Sequence, residues 1–375
     1  MGTSAARIAA TVVAAPEGTH VTPPRTPTAS SPRGHAGPAP ASRPAASRSA
    51  SRPGPVIPAL HCPEPVRVDE GLGAEVNERL VAWVERVGIF PGRLDFVRRC
   101  DYGRYAMLIH PDTDDPDRLL LAAQCMAALF AVDDCYCDDE RTGSDTAVLG
   151  NRLTLAQTAL DPAYLVGPWG YQDQLGEALR GDPVLVGLRS CIDRVAGFAT
   201  PAQVNRVRHE TVAMFAVMNG EAGWRTTRTT PPVWEYLASR QVNSFLPCLT
   251  LIDVIGGYEL PASLYAHPPV RRATMLAANA SIILNDLYSM AKESEPAIGD
   301  GGLPDVIAAE RGCSMEEAVD LSAAYHDELV RDFESAQRQL MATVFSPELW
   351  RYLCGLHAWL GGNHEWHATS ARYKG

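Results

Sequence analysis

No CxxC pair occurs among the nine cysteines, which lie scattered from Cys62 to Cys354. An odd count at wide spacing argues against a zinc knuckle or a disulfide framework, so reduced thiols and a cytoplasmic location are expected. No apolar run reads as approaching the roughly 18 residues of a spanning helix, so no membrane is expected. Alternating strand patterns and internal repeats are missing too. The folded part has little excess of positive charge to meet nucleic acid. The chain carries −11 overall, and residues 1–60 hold six arginines against one acid, Glu17, so the remainder is more acidic still. Such a surface repels a phosphate backbone and suits a protein that gathers metal cations.

Large apolar side chains are scarce in residues 1–60, which contain eleven prolines. That composition buries too little surface to offset the entropy of ordering, so the segment is expected to be disordered. Its Arg/Ser-rich, acid-poor character also resembles a transit peptide, although no amphipathic helix is visible.

From about residue 66 the pattern is helical. Val76, Leu80, Trp83, Val84 and Val87 form one stripe. Asp115 caps a second helix, with Pro116 at its first position and Asp117 in its first turn. The acids Asp112, Asp114, Asp115 and Asp117 lack the Gly and closing Glu of a calcium loop, so capping explains them better. Further helices are expected over 148–159, 171–180, 183–198, 201–222, 232–255, 268–293, 303–309, 315–342 and 346–367. Pro and Gly clusters punctuate them, with Gly256 or Gly257 as a left-handed terminator. The fold class is all-α, one domain over 61–375.

Two polar groups interrupt these apolar helices. The stretch "AVDDCYCDDE" (131–140) puts four carboxylates within seven positions. On a uniform α-helix Asp134 and Asp138 share a stripe with Asp133 on its flank. Such acids repel one another unless a cation joins them, and Mg²⁺ is the natural choice for oxygen donors. In "SIILNDLYSMAKE" (281–293), Asn285, Ser289 and Glu293 recur every four residues and face one way. An amide oxygen, a hydroxyl and a carboxylate form a hard-oxygen triad, suited to magnesium and poor for zinc. Lys292 adds a positive charge beside Glu293. Two oxygen sites on separate helices suggest metals with a polyphosphate between them, and Arg240, Arg372 and Tyr373 are candidate anion contacts.

The Asp-rich motif followed, about 150 residues later, by N-D-x-x-S-x-x-x-E resembles the class I terpene synthases. "DDCYCDD", "NDLYSMAKE", "LIDVIGGYELP" and "NHEWHATSARY" resemble the bacterial 2-methylisoborneol synthases over roughly residues 66–375. The resemblance implies an α-bundle with a central active-site cavity and three Mg²⁺ ions. It implies Asp133 as principal ligand of two ions, Asp134 and Asp138 in support, and Asn285, Ser289 and Glu293 around the third. Arg240 takes the place of the diphosphate-sensing arginine, and Lys292, Arg372 and Tyr373 match the family's further diphosphate contacts. The Asp-rich spacing departs from plain DDxxD, because Cys137 occupies the final acid position and Asp138 follows it. The implied substrate is 2-methylgeranyl diphosphate, methylated beforehand by a separate methyltransferase, and the implied assembly is a homodimer. Phe130 is the first candidate to face a carbocation, ahead of Phe215, Trp224, Phe245 and Trp366.

Rival readings remain at this point. A sesquiterpene or unmethylated monoterpene cyclase would use the same metals, and a non-catalytic α-helical scaffold would use none. A chain-elongating prenyl synthase would need a second DDxxD. The "NHEWH" stretch spaces His364 and His367 by three, not by the four of a zinc-protease helix, and "IGGYELP" lacks the GxGxxG spacing of a dinucleotide loop.

Overall fold

Helix starts follow one local recipe: a short polar cap and then proline. Asp115, Asp182, Thr200 and Ser346 each accept a hydrogen bond from a first-turn N–H, and each precedes a proline. The structure is a computed structural model that describes residues 56–137, 145–164, 170–290 and 301–374. Within these residues it contains sixteen α-helices, one π-helical turn and no strand, as the sequence pattern implied.

The expectation of disorder over 1–60 falls mainly on residues 1–55, outside the described ones. Ile57 and Leu60 lie inside the same segment and pack against Leu287, Val319 and Ala323. The unit Pro53–Gly375 is compact.

At its centre lies the helix Pro116–Val132, packed by Glu70–Val87, Tyr102–Ile109 and Pro183–Phe198. Contrary to expectation, the stretch Pro116–Cys137 is long and apolar enough to cross a membrane by length and composition. Its most apolar window is 72% buried inside the protein. A helix apolar on all sides is what the middle of a large bundle requires. Across from it, Pro268–Ser289 packs against Met315–Thr343 and Pro347–Thr369. Gly362 allows the last of these to press onto the Tyr102–Ile109 helix, since a Cβ there would sit 2.7 Å from the Leu108 carbonyl carbon.

One expected helix is broken. The 232–255 stretch folds as Val233–Arg240, a turn, Leu246–Leu249 and Ile252–Ile255. Pro247 has no N–H to give to the preceding turn, so it is tolerated only in a first turn, and it sits in the first turn of a new short helix, Leu246–Leu249. The Ser244 hydroxyl accepts from the Leu246 N–H. Beyond the break, Gly257 (φ +72°) takes the left-handed conformation, while Gly256 stays right-handed.

Candidate active site

The central helix and the broken helix enclose a cavity of about 90 Å³. Met126, Leu129 and Phe130 line it from one side, Met214 and Met218 from the helix Pro201–Thr227, and Ile282 from a third direction. The break contributes Asn243, Ser244, Phe245 and Cys248. Asp133, Arg240 and Asn285 also line the cavity. Thus an apolar chamber carries oxygen donors from two different helices and one guanidinium.

The π-turn Asp133–Cys137 ends the central helix. Its wider winding replaces the uniform α-register assumed for the acids. Asp133 borders the cavity, while Asp134 is held by Arg372, whose two terminal nitrogens donate at 2.9 and 3.2 Å. Asp138 lies outside the described residues. The Arg372 guanidinium also sits 3.9 Å from the centre of the Phe130 ring. Burial alone would disfavour its charge, but Tyr102, Asp134 and Tyr373 outweigh that and raise its pKa.

Asn285 is oriented by two partners. Its amide nitrogen donates to the Tyr373 hydroxyl at 2.7 Å and lies 3.2 Å from His367 Nε2. His367 Nδ1 is 2.8 Å from the Asn363 carbonyl, which can only accept, so Nδ1 carries the proton and Nε2 accepts. Burial holds the imidazole neutral, with its pKa down at about 3. Both amide donors of Asn285 are therefore engaged, and Oδ1 is left as the acceptor for a ligand. Ser289 closes the same helix and is half-buried, while Lys292 and Glu293 lie outside the described residues.

Arg240 donates to Asp286 through Nε and a terminal nitrogen, at 3.2 and 2.5 Å, and to the Asn243 carbonyl. Asp286 also accepts from the Tyr236 hydroxyl and the Leu303 N–H. Burial opposes the Arg240 charge, yet Asp286 more than compensates and raises its pKa. The arginine is thus fixed and charged at the cavity wall.

Phe130 and Phe245 are the aromatic rings lining the cavity among the described residues, 6.4 Å apart and edge to face. Trp366 stands behind Phe130 and stacks on Tyr105 at 4.2 Å. Phe215 is buried core, and Trp224 turns its indole N–H to Glu235.

The chain is similar to sequences and structures already known. The family model "Terpene synthase family 2, C-terminal metal binding" matches residues 124–332. A 2-methylisoborneol synthase of Streptomyces ambofaciens is 40% identical, covering 89% of this chain and 73% of its own. One from Saccharopolyspora erythraea is 37% identical, covering 84% and 89%. The chain belongs to the 2-methylisoborneol synthase family of terpene synthases. A crystal structure from this family, the Streptomyces coelicolor enzyme with Mg²⁺ and 2-fluoroneryl diphosphate, matches with TM-score 0.78 and 36% identity. It covers 87% of this chain and 98% of that one. As a terpene cyclase, the protein has the expected all-α class I fold.

The sequence alone gives no role to several residues at or beside this cavity. Met214 and Met218 carry no motif, Asp286 stands in the N-D-x-x-S-x-x-x-E pattern without a role of its own, and His367 looks like part of a zinc-protease helix. Among the described residues, no three His, Cys, Asp or Glu side chains form a metal cage by themselves. The donors facing the cavity mix a carboxylate and an amide, and this hard-oxygen chemistry fits Mg²⁺ rather than a soft metal.

Proposed function

We propose that this terpene cyclase converts 2-methylgeranyl diphosphate and water to 2-methylisoborneol and diphosphate. The observation that carries the reading is one apolar cavity to which Asp133 and Asn285 are brought from different helices, with Arg240 beside them. The names of its relatives support the product. Asp133, Asp134 and Asp138 on one side, and Asn285, Ser289 and Glu293 on the other, would hold three Mg²⁺. When bound, the ions neutralise the diphosphate and favour its departure.

The chain's own residues do the rest. Arg240, Lys292, Arg372 and Tyr373 bind the diphosphate oxygens and fix the direction in which the group leaves. The allylic C–O bond breaks with its electron pair on the diphosphate. Met126, Leu129, Met214, Met218 and Ile282 exclude water while the diphosphate rejoins the tertiary carbon as a linalyl-type species, the freed C–C bond rotates, and a second ionisation lets the cation close to a bornyl-type ring system. Phe130 presents its ring face to the positive charge. One water then adds its oxygen to the final cation and passes one proton to the released diphosphate, leaving the alcohol.

The substrate's extra methyl group requires a methyltransferase acting earlier. The same reading includes a homodimer, testable by sedimentation, and a cytoplasmic setting in keeping with nine free thiols. Gas chromatography of products from 2-methylgeranyl and geranyl diphosphates, side by side with Mg²⁺, tests the proposal. The expected main product from the methylated substrate is 2-methylisoborneol. A preference for geranyl diphosphate would reassign the chain as an ordinary monoterpene cyclase, and silence with every allylic diphosphate would favour the scaffold.

A further inference from the structure

A second cavity, of about 20 Å³, lies against the first. Leu188, Ile192 and Val207 line it, together with the thiols of Cys125 and Cys191. Leu129 and Cys248 line both cavities and so form the wall between them. Leu129 stands one helical turn before Asp133. It is half-buried although Ala127 and Ala128 just before it are fully buried, as a side chain bordering open space should be. Cys248 lies in the short helix Leu246–Leu249 that follows the break.

We infer that the Leu129–Cys248 wall sets the longest prenyl chain this site accepts. The inference rests on the proposed use of an allylic diphosphate. With the diphosphate anchored at Asp133, Asn285 and Arg240, a longer hydrocarbon has to extend along the apolar walls away from that end. The second cavity offers apolar surface for it, but by itself has room for little more than one water-sized sphere. Leu129→Ala removes three carbons from the wall and joins the two spaces, giving room for part of one more five-carbon unit. A misfit of a single methylene in an apolar pocket already changes selectivity by about tenfold or more.

The test compares kcat/KM for 2-methylgeranyl, geranyl and farnesyl diphosphates in the wild type, Leu129→Ala, Leu129→Ala/Cys248→Ala and Leu188→Ala. Leu188 lines only the second cavity, so its replacement makes a comparable void and leaves the wall standing. Calorimetric Kd values for farnesyl S-thiolodiphosphate with Mg²⁺ give a readout independent of turnover. The expected result is a rise of at least about tenfold in the farnesyl-to-geranyl ratio for both Leu129 variants. Tighter binding of the farnesyl analogue should accompany it, with Leu188→Ala at the wild-type ratio. Leu129→Val, one carbon shorter, carries the test if the alanine variants do not fold, with a smaller rise expected. An unchanged ratio and Kd in a folded Leu129 variant, or an equal rise in Leu188→Ala, overturns the inference. A wild type that excludes farnesyl diphosphate but makes no 2-methylisoborneol, combined with the expected Leu129 result, overturns the proposed product and leaves the wall's role standing.

Discussion

Arg372 and Asp134, 238 residues apart in the chain, meet as a two-pronged ion pair with both side chains nearly buried. The pair ties the C-terminus to the acid-rich turn, and the same guanidinium covers one face of Phe130. Breaking a buried pair by removing one partner costs more than the pair contributes net, because the remaining charge stays buried. Arg372→Ala is therefore expected to lower stability by about 3 kcal/mol in urea denaturation. Arg372→Lys should recover part of the loss, since lysine keeps the charge but not the fork. Equal stability of wild type and Arg372→Ala would show that the contact is incidental.

Asn285 is held with its oxygen available by Tyr373 and His367. Replacing it removes the oxygen proposed to hold a metal and leaves the helix, which is anchored by its packing, in place. Asn285→Ala should lower kcat/KM by about a hundredfold or more, with helical circular dichroism unchanged. Glu293→Ala is expected to behave alike. Near-normal turnover in either variant would remove that residue from the metal site.

The helices were legible because their signals are local: caps, prolines and the 3.6-residue period all act within one turn or two. The shared helical face of Asn285 and Ser289 was legible for the same reason, since both lie on Pro268–Ser289. What could not be read depends on contacts between distant segments. The break at 241–245 exposes Asn243 and Ser244 to the cavity only because the chain there meets the Pro201–Thr227 helix, where Glu221 accepts from Asn243. The winding of Asp133–Cys137 into a π-turn changes where each acid points, and no spacing rule announces it. His367 illustrates the same limit. Its role comes from Asn285, 82 residues away, and not from the neighbours that make it look like half of a zinc motif.

Phe130 borders the cavity with an electron-rich ring whose guanidinium contact shows that it can face positive charge. Phe130→Leu keeps an apolar side chain and removes the π face. A loss of about 0.5–2 kcal/mol of cation stabilisation corresponds to a kcat lower by roughly 2- to 30-fold. More early-quenched acyclic alcohol should appear in the product mixture. If Phe130→Leu matches the wild type in rate and product while Phe130→Tyr does not, shape rather than charge governs this position.

Ile57, Leu60 and the His61 N–H bonded to Asp327 attach the start of the described chain to the helix Met315–Thr343. Deleting residues 1–55, whose composition is poor in large apolar side chains, is expected to leave kcat within about twofold of the full chain. Extending the deletion through His61 should lower Tm, because it strips apolar cover from Leu287 and Val319. A large fall in kcat on removing 1–55 alone would place that segment at the active site.

His110 couples the bundle's stability to acid. It ends the Tyr102–Ile109 helix, sets its ring edge-on to Trp359 at 6.0 Å, and is almost fully buried. Burial first, and the nearby Arg67 charge second, push its pKa down from 6.5 to about 3. Above pH 6.5 the imidazole is neutral in both folded and unfolded chains, so its contribution is fully present there. As pH falls below 6.5 the unfolded chain takes up a proton that the folded chain refuses, and stability drops by about 1.4 kcal/mol per pH unit until the folded pKa is reached. Other buried histidines, His326 and His367 among them, add slopes of the same sign. The comparison that isolates His110 is the difference between wild type and His110→Gln, with unfolding free energy measured in urea at pH 7, 6 and 5. The wild-type line should be steeper by about one such slope between pH 6 and 5. Parallel lines would mean that His110 is protonated in the folded protein or that water reaches it there.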